Sequence, residues 1–363
     1  MTREYDFEED FHGKDRKKSR KDRKHAQETD RSKYKKTDQV AKEAGKIDPN
    51  WKRGRVVAIS GEGAWIDCEG KRVLGSLKGL LKKEKLQSKN VIAVGDFVRM
   101  TPEYSIAHIE ERYSFLARRD ITGKKEQLIA VNVDQAIIAI SVVNPPLKPA
   151  LVDRYLIAAE KGNIHPIIVV NKIDLLEDAP EEERVRYQEF LAAYEKMGIP
   201  ILSISTTHLI GIDSLRALLK DKVSVFSGQS GVGKSSLINV AYGLNLRTGG
   251  LAHKTSKGTH TTTTAELIAL PEGGYCVDTP GVRSFGIWKL QKEEVTGHFA
   301  DLAGLNCKYL DCNHINEPEC GVLKGIEEGR ISPLRYESYR TLLDEAIGGM
   351  DNRGKRKENY ESD

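Results

Sequence analysis

The pattern of hydrophobic and polar positions changes several times along the chain. After Trp51, short β-like runs separated by Gly-rich or polar turns continue to about residue 116; they are 54–59, 64–68, 72–75, 91–94, 97–100 and 106–109. Five or six short strands in about 65 residues predict a small β-barrel. An OB-fold is the natural candidate because it presents a strand face to oligonucleotides. An SH3-like barrel stays open, because periodicity does not separate the two.

Continuous apolar runs follow, beginning with 134–142 and 166–170, with a helical pattern around Leu151, Tyr155 and Ala158 between them. Buried parallel strands with crossover helices have this pattern. Four more strands are predicted at 201–205, 223–226, 266–270 and 275–278. The middle of the chain is therefore predicted to be a doubly wound α/β domain, with ligands at the carboxyl ends of its strands.

The two ends of the chain have other patterns. The N-terminal residues contain almost no aliphatic side chains and are predicted to be disordered. Near the C-terminus, Ser332-Pro333 predicts the start of a helix with one apolar side, which we expect to pack as core; that side carries Tyr336, Tyr339, Leu342, Leu343 and Ala346. The predicted organisation is a tail at 1–49, the barrel at 50–118, the α/β domain at 119–287, a mostly helical domain at 288–349 and a polar tail at 350–363.

Charge is concentrated in the N-terminal tail. Residues 12–36 hold twelve Lys/Arg and four Asp/Glu, whereas the whole chain has a formal net charge of only +4. Clustered Lys and Arg gain affinity for a phosphate-rich partner by releasing counterions, so the tail is interpreted as a binding arm. A solubilising tail without a partner is the alternative.

Composition narrows the class of protein. A hydrophobic content of 39%, a charged content of 30% and the lack of a long apolar run indicate a protein without a membrane span. The first residues are too polar and acidic for a signal or transit peptide, which predicts a cytoplasmic location. Five cysteines, three of them clustered beside a histidine, favour metal binding over disulfides. Cys68 alternates within its strand and is predicted to be a core thiol.

One motif carries the strongest chemical signal. Residues 228–236 lie between an apolar strand-like run and a helix-like run, with the spacing of a phosphate loop. Its glycines would let backbone N–H groups face phosphate oxygens, Lys234 would reach the β- and γ-phosphates, and the Ser235 hydroxyl would bind Mg²⁺. The predicted phosphate-binding residues are Gly228, Gln229, Ser230, Gly231, Val232, Gly233, Lys234, Ser235 and Ser236.

A second motif predicts the base. The run Asn171, Lys172, Ile173 and Asp174 follows a predicted strand, which places the Asp174 carboxylate where it can accept hydrogen bonds from guanine N1–H and the 2-amino group. Adenine lacks this pair of donors, so a site built around Asp174 would reject ATP.

A third motif, Asp278-Thr-Pro-Gly281, follows another predicted strand. Asp278 is expected to reach Mg²⁺ through water, and the Gly281 N–H to sense the γ-phosphate. The order of the motifs is unusual, because the guanine motif precedes the phosphate loop instead of following it. A compact domain tolerates this circular permutation when its original termini lie close together.

A candidate metal site lies near the C-terminus. Cys307, Cys312, His314 and Cys320 supply three thiolates and one imidazole within about 14 residues, which is the closed tetrahedral set of one structural Zn²⁺. No ligand position remains for water. The alternative, three unrelated core thiols, requires neither the histidine nor the polar residues between them.

These motifs together resemble one family. The permuted order, the phosphate loop, the segment 258–264 and the run 278–283 are similar to those of the small ribosomal subunit biogenesis GTPases, RsgA, also called YjeQ. The resemblance extends from about residue 54 to 339. It implies an OB-fold, a permuted GTPase domain and a zinc-binding domain. It also implies hydrolysis of GTP to GDP, stimulated by the small ribosomal subunit during late maturation.

The residue that positions the attacking water must be sought elsewhere in the chain, because the glutamine that usually does so is missing. Signalling GTPases commonly carry a glutamine after the third motif, but this chain has Val282. The nearest candidate is His260, whose imidazole can orient water or accept its proton, and the matching histidine of the resembling family is a proposed catalytic residue. Thr262 or Thr263 would then contact Mg²⁺ and the γ-phosphate. Lys234 is the other predicted catalytic residue.

The sequence therefore predicts a GTP-hydrolysing ribosome-assembly factor that acts as a monomer with the small ribosomal subunit and its rRNA, without a membrane. A GTP-regulated signalling switch with a protein effector is the alternative, but it has no need of a barrel, a zinc domain and a basic arm together. A nucleic-acid-binding module with a vestigial nucleotide site is the third possibility, although such a site would be expected to lose Lys234 or Asp278.

Overall fold

The computed structural model describes residues 48–77, 91–119, 126–244, 265–278, 290–302, 305–309 and 311–351. A barrel, an α/β sheet and a helical region follow one another along the chain in the predicted order. The basic segment 12–36 and residues 352–363 lie outside the described residues.

In the part of the barrel that the structure describes, five strands are present: β1 (Lys52–Ile59), β2 (Ala64–Cys68), β3 (Lys71–Leu77), β4 (Phe97–Met100) and β5 (Ser105–Ile109). Neighbouring strands follow the order β1-β2-β3-β5-β4, and β4 pairs back onto β1, so the sheet closes on itself. Alternate side chains fill its interior, including Val56, Ile66, Val98 and Ile106. The OB-fold prediction is confirmed. The thiol of Cys68 belongs to this core, as predicted.

The predicted strand at 91–94 is wrong. Val91, Ala93 and Val94 are buried, but the segment is a turn in which the Asp96 carboxylate accepts the Ala93 N–H at 2.7 Å. The guanidinium of Arg112 holds the same carboxylate with two bonds of 2.7 Å. The run is apolar because this loop is buried; its pairing among the described residues is limited to an isolated bridge between Val94 and Ala130.

A hairpin that the sequence pattern did not predict connects the barrel to the next domain. It consists of β6 (Phe115–Arg119) and β7 (Glu126–Val131), which pair antiparallel as a separate sheet. The predicted boundary between residues 118 and 119 falls inside β6. The two strands pair through polar ends, with Arg118 opposite Gln127 and Arg119 opposite Glu126, so this stretch of sequence resembles a polar connection.

Among the described residues, the α/β domain has six strands: β8 (Gln135–Ser141), β9 (His165–Asn171), β10 (Ile201–Ser203), β11 (Val223–Gly228), β12 (Glu266–Ala269) and β13 (Tyr275–Asp278). They lie in the order β10-β9-β8-β11-β13-β12, and every neighbouring pair is parallel except β12 with β13. The carboxyl ends of β9, β11 and β13 therefore share one edge of the sheet. Each of these strands ends at a predicted nucleotide motif.

Helices cover both faces of this sheet. They are α1 (Pro149–Lys161), α2 (Glu181–Glu195), α3 (Ile212–Leu219) and α4 (Lys234–Tyr242). Along β8, Ile138 and Ile140 join the cluster that includes α1 and α2, whereas Ile137 and Ala139 join the cluster with α3 and α4. Burial on both faces explains why these strands read as continuous apolar runs. The doubly wound prediction is confirmed.

The barrel and the α/β sheet are joined edge to edge. Strand β1 pairs antiparallel with β12 at Ala58 and Glu266. Beside this pairing, Arg72 Nη1 lies 2.9 Å from Glu266 Oε1, and the Tyr275 hydroxyl donates to Asp67 Oδ2 at 2.5 Å. The pairing covers the edge strand of the α/β sheet.

The C-terminal domain is mostly helical, with α5 (Lys292–His298), a 3₁₀ turn (Ala300–Leu302), α6 (Gly321–Glu327) and α7 (Pro333–Asp351). Helix α7 begins at Pro333, as predicted, and its apolar side packs as core with Tyr339, Leu342, Leu343 and Ala346 buried. In the part of the chain that the structure describes, no helix combines the length and apolar character that a membrane span requires.

Candidate nucleotide site and metal centre

The phosphate loop leaves β11 at Gly228 and enters α4 at Lys234. Gly228 has φ of 137°, and a Cβ on it would lie 1.9 Å from the Ala139 carbonyl oxygen. Gly233 has φ of 94°, and its Cβ would meet Asn171 Nδ2 at 2.7 Å. Both the backbone conformation and the close approach therefore require glycine at these two positions.

The Lys234 side chain folds back over the loop. Its Nζ donates to the carbonyl oxygens of Gly228 at 2.7 Å and Gln229 at 2.9 Å. Burial lowers the pKa of Lys234. The first turn of α4 carries Ser235 and Ser236 but no acidic side chain, so its free N–H groups and the Lys234 ammonium together form a positive site suited to an anion.

Asn171 connects the phosphate loop to the loops on the other side of the site. It ends β9 and is fully buried. Its Nδ2 donates to the Val232 carbonyl oxygen at 2.8 Å, and its Oδ1 accepts the Thr206 N–H at 3.3 Å. Lys172, with φ of 65°, donates through Nζ to the Asn144 carbonyl oxygen. The guanine motif thus holds three separate loops in place.

Asp174 lies in the 3₁₀ turn Ile173–Leu176 that follows β9. Its Oδ1 is buried and has no hydrogen-bond partner among the described residues. A buried acceptor without a donor costs free energy. The site therefore lacks a hydrogen-bond donor at this atom, and guanine offers two donors that suit a carboxylate.

The loop after β10 was missed by sequence reasoning. Ser205 is fully buried, and its Oγ accepts the His208 N–H at 3.0 Å. The neighbouring Thr206 N–H is the group that binds Asn171. A short polar run after a predicted strand was the available signal, because such loops line the ligand edge of an open α/β sheet.

The third motif is described only in part. β13 ends at Asp278 beside β11, with Val277 level with Val225, so the Asp278 backbone lies at the same sheet edge as the phosphate loop. The Asp278 side chain is not described. His260, Thr262, Thr263 and Gly281 lie outside the described residues.

The four predicted zinc ligands lie together. Their candidate ligand atoms are all within 4.8 Å of one another. His314 Nδ1 lies 3.5 Å from the Sγ atoms of both Cys307 and Cys320, which are 4.0 Å apart. Tetrahedral zinc with bonds of about 2.3 Å to sulfur and about 2.0 Å to nitrogen places its ligands roughly 3.5–3.8 Å apart. The donor set and spacing are compatible with zinc.

Neighbouring groups hold these ligands in position. The Gly321 N–H donates to Cys307 Sγ at 3.3 Å. The Glu317 carboxylate accepts the N–H groups of Asn313 at 2.7 Å, Ile315 at 2.8 Å and Asn316 at 3.0 Å. Burial raises the pKa of Glu317, but the backbone donors outweigh this effect and lower it to about 2. The ligand loop is therefore organised around an ionised carboxylate.

Comparison with known proteins agrees with this arrangement. The family model described as RsgA GTPase matches residues 109–288. A protein of Chlorobaculum parvum named small ribosomal subunit biogenesis GTPase RsgA is 41% identical over 274 residues, covering 71% of this chain and 86% of that protein. A protein of Bacteroides fragilis with the same name is 35% identical over 305 residues, covering 81% of this chain and 97% of that protein.

Two solved structures share the fold. YjeQ from Thermotoga maritima matches with a TM-score of 0.64 and 33% identity, covering 82% of this chain and 99% of that one. YloQ, described as a circularly permuted GTPase, matches with a TM-score of 0.62 and 26% identity, covering 87% of this chain and 100% of that one. These similarities do not favour the signalling-switch alternative.

Proposed function

Because the chain belongs to the RsgA family of circularly permuted GTPases, we propose that it hydrolyses GTP to GDP and phosphate while acting in late maturation of the small ribosomal subunit. The observation that carries the proposal is the shared sheet edge. There the phosphate loop, the Asn171–Asp174 turn and the end of β13 converge.

In this proposal, different groups of the chain bind the phosphates, the base, the Mg²⁺ ion and the attacking water. Loop N–H groups and Lys234 hold the phosphates, while Asp174 accepts the donors of guanine. The hydroxyl of Ser235 in the first turn of α4 and the carboxylate of Asp278 at the end of β13 are the groups that would hold Mg²⁺, which when bound neutralises charge on the phosphates. His260 orients the attacking water, and Thr262 or Thr263 contacts the γ-phosphate.

The proposal also covers partners and location. We propose that the protein is a cytoplasmic monomer that contacts rRNA through its barrel, its zinc-binding domain and the basic segment 12–36. The closed five-stranded barrel supports RNA contact, because OB-folds bind oligonucleotides on a strand face. The charge of the basic segment supports affinity for a phosphate backbone. The relatives are named small ribosomal subunit biogenesis GTPases, and this name is the basis for proposing the small ribosomal subunit as the partner.

The proposed function is tested by measuring GTP hydrolysis with and without purified small ribosomal subunits. We expect turnover to rise at least tenfold with small subunits and to stay unchanged with large subunits, which are the matched control. Added salt should weaken the stimulation because phosphate contacts release counterions. Equal turnover with and without small subunits would contradict the proposal.

Replacing Asp174 by Asn tests the assignment of the base. The substitution exchanges an acceptor for a donor, so GTP affinity should fall on the order of 100-fold while affinity for xanthosine triphosphate rises, because xanthine presents an acceptor where guanine has its amino group. Calorimetric titration with both nucleotides measures the exchange. Asp178→Asn, on an exposed residue of the following loop, should change neither affinity. Tight ATP binding by the wild-type protein would refute the assignment.

Replacing Cys312 by Ala tests the metal site. We propose that one Zn²⁺ stabilises the C-terminal domain without taking part in hydrolysis, because four protein ligands leave no position for substrate. The variant should lose the metal and its binding to small subunits, yet keep its affinity for GTP. Metal analysis and calorimetry measure these two properties. Cys68→Ala, which alters a thiol of the barrel core, should retain one zinc per chain.

A further inference from the structure

The segment that follows β8, residues 141–147, belongs to none of the three nucleotide motifs, yet it lies between two of them. We call it the β8 turn. Strand β8 lies between β9, which ends at the first residue of the guanine motif, and β11, which ends at the first residue of the phosphate loop. Ser141 is level with Asn171, and Ala139 is level with Gly228. The chain therefore leaves β8 between the two loops predicted to bind the base and the phosphates.

Buried apolar side chains anchor both ends of the β8 turn. Val142 and Leu147 belong to the core of the α/β sheet, whereas Asn144 at the top of the turn is exposed. The Ser141 hydroxyl is buried and donates to the Pro145 carbonyl oxygen at 2.7 Å. This hydrogen bond crosses the turn and holds its two halves together.

The top of the turn contacts the guanine motif. The carbonyl oxygen of Asn144 accepts a hydrogen bond from the ammonium of Lys172. Lys172 immediately precedes the 3₁₀ turn that carries Asp174, and its own carbonyl oxygen accepts the Leu175 N–H at 3.0 Å. The lysine held by the β8 turn is thus built into the turn that presents the carboxylate predicted to bind guanine.

The β8 turn also lies beside the phosphate loop. A Cβ on Gly231 would lie 3.7 Å from Pro145 Cδ, which is an ordinary van der Waals distance, so the proline ring is next to this glycine. Asn144 and Pro145 are adjacent in the chain. Two consecutive residues therefore contact the guanine motif on one side and the phosphate loop on the other.

The backbone of Asn144 directs the contact with Lys172. Asn144 has φ of 46°, in the left-handed region where asparagine is several-fold enriched and a β-branched residue is an outlier. Its side chain is exposed, and its carbonyl is the group that accepts the ammonium. The direction of this acceptor therefore depends on the backbone conformation of the residue and not on burial of its side chain.

We propose that Ser141 and Asn144 are positioning residues for the recognition of guanine. The β8 turn holds the ammonium of Lys172, and through Lys172 it fixes the 3₁₀ turn that presents Asp174. The proposal rests on the proposed function, since it concerns the same nucleotide site. It makes the choice of base depend on a turn that contains no residue of the three motifs.

The first test is Ser141→Ala in the full-length protein, which removes the hydrogen bond that crosses the turn. Calorimetric titrations with GDP and with inosine diphosphate compare two ligands that differ only in the 2-amino group of the base, a donor that the Asp174 carboxylate can accept. A hydrogen bond to a charged group contributes on the order of tenfold or more in affinity, and a displaced carboxylate keeps only part of it. We therefore expect the ratio of GDP affinity to inosine diphosphate affinity to fall about threefold.

Ser224→Ala is the matched control. The Ser224 hydroxyl is also fully buried, and it accepts a hydrogen bond from Gln135 Nε2 at 2.9 Å at the amino ends of β8 and β11, away from the nucleotide motifs. This variant also loses one buried hydrogen bond, so its melting temperature should fall while the ratio of the two affinities keeps its wild-type value. A purely structural role predicts the same for Ser141→Ala, and an unchanged ratio in that variant overturns the proposal.

Two substitutions of Asn144 test the role of its backbone. Glycine adopts positive φ without strain, so Asn144→Gly should keep the wild-type ratio. Asn144→Val should lower the ratio about threefold, because a β-branched residue disfavours this conformation. Both variants remove the same exposed side chain. Equal ratios in the two variants would therefore show that the backbone of Asn144 does not position the guanine motif.

The step through Lys172 is tested by repeating Ser141→Ala in a Lys172→Met background, which lacks the ammonium. We expect the ratio to fall no further there, and an equal fall in both backgrounds rules out the route through Lys172. These titrations require binding of the two diphosphates but no hydrolysis. A wild-type protein that prefers GDP but hydrolyses no GTP, even with small subunits, contradicts the proposed function and leaves the ratio measurable.

Discussion

Replacing Lys234 by Met is expected to remove most nucleotide binding and nearly all hydrolysis. The ammonium is held over the phosphate loop by the carbonyl oxygens of Gly228 and Gln229, where phosphate oxygens would meet it. Hydrogen bonds to charged groups contribute about 1.5–3 kcal/mol each. GTP affinity should therefore fall on the order of 100-fold, and hydrolysis on the order of 10²–10³-fold beyond the loss of affinity.

Fluorescence titration with a labelled GTP and single-turnover hydrolysis at saturating protein separate these two losses. Lys220→Met is the matched control, because Lys220 is exposed at the end of α3 and should keep wild-type values. The methionine of Lys234→Met retains the length of the apolar stem, so a loss can be attributed to the charge. Hydrolysis within threefold of wild type at saturation would show that Lys234 has no part in the transition state.

Much of the fold could be predicted because the hydrophobic pattern of most strands matches the way their faces are buried in the structure. The strands of the α/β sheet are buried on both faces, so they appear as continuous apolar runs, as β8 does. The barrel strands alternate, because only one face meets the interior. The phosphate loop could be located because its glycines satisfy geometric requirements that only glycine meets.

The errors have physical causes as well. The run 91–94 is apolar because Val91 packs in the barrel core while Ala93 and Val94 pack in the core of the α/β sheet and the hairpin, but the Asp96–Arg112 ion pair organises it as a turn. Burial and strand pairing leave the same signature in the sequence when the run is short. The β6–β7 hairpin was missed because its strands pair through polar ends, Arg118 and Arg119 opposite Gln127 and Glu126, which resemble a loop in the sequence.

A buried polar cluster around Asp153 could not be predicted for a different reason. Its members are Asp153, Tyr194, His298, Arg335 and Ser338, which come from four helices and are separated by up to 185 positions in the chain. Each one alone is an ordinary polar residue within a helix. Only the packing of α1 against α2, α5 and α7 brings them together, and sequence periodicity contains no information on which polar residues will meet.

The nucleotide motifs are predictable singly, but their convergence depends on the sheet. The permuted order separates Asn171 from Val232 by 61 positions, yet Asn171 Nδ2 binds the Val232 carbonyl at 2.8 Å. The strand order β9-β8-β11-β13 produces this proximity. The permuted order also places the third motif last of the three along the chain, so that the C-terminal helices follow it in the sequence.

Replacing His260 by Ala is expected to leave GTP affinity within twofold of wild type while reducing hydrolysis stimulated by the small subunit on the order of 10²–10³-fold. The reason is the absence of a glutamine after the third motif, where Val282 cannot orient water. A positioned imidazole contributes typically 10²–10⁴-fold by orienting water or accepting its proton. Single-turnover hydrolysis on purified small subunits, at saturating GTP, measures the effect.

His253→Ala provides the matched control, because this histidine precedes His260 in the same segment between α4 and β12 and should retain full stimulation. His260→Gln separates two roles: an amide can orient water but cannot accept its proton near neutral pH. If orientation of the water is the main contribution, His260→Gln should hydrolyse GTP at least tenfold faster than His260→Ala. If proton transfer is the main contribution, the two variants should hydrolyse GTP at similar rates. Wild-type turnover by His260→Ala on the subunit would leave the histidine without a catalytic role and place water activation in the ribosomal partner.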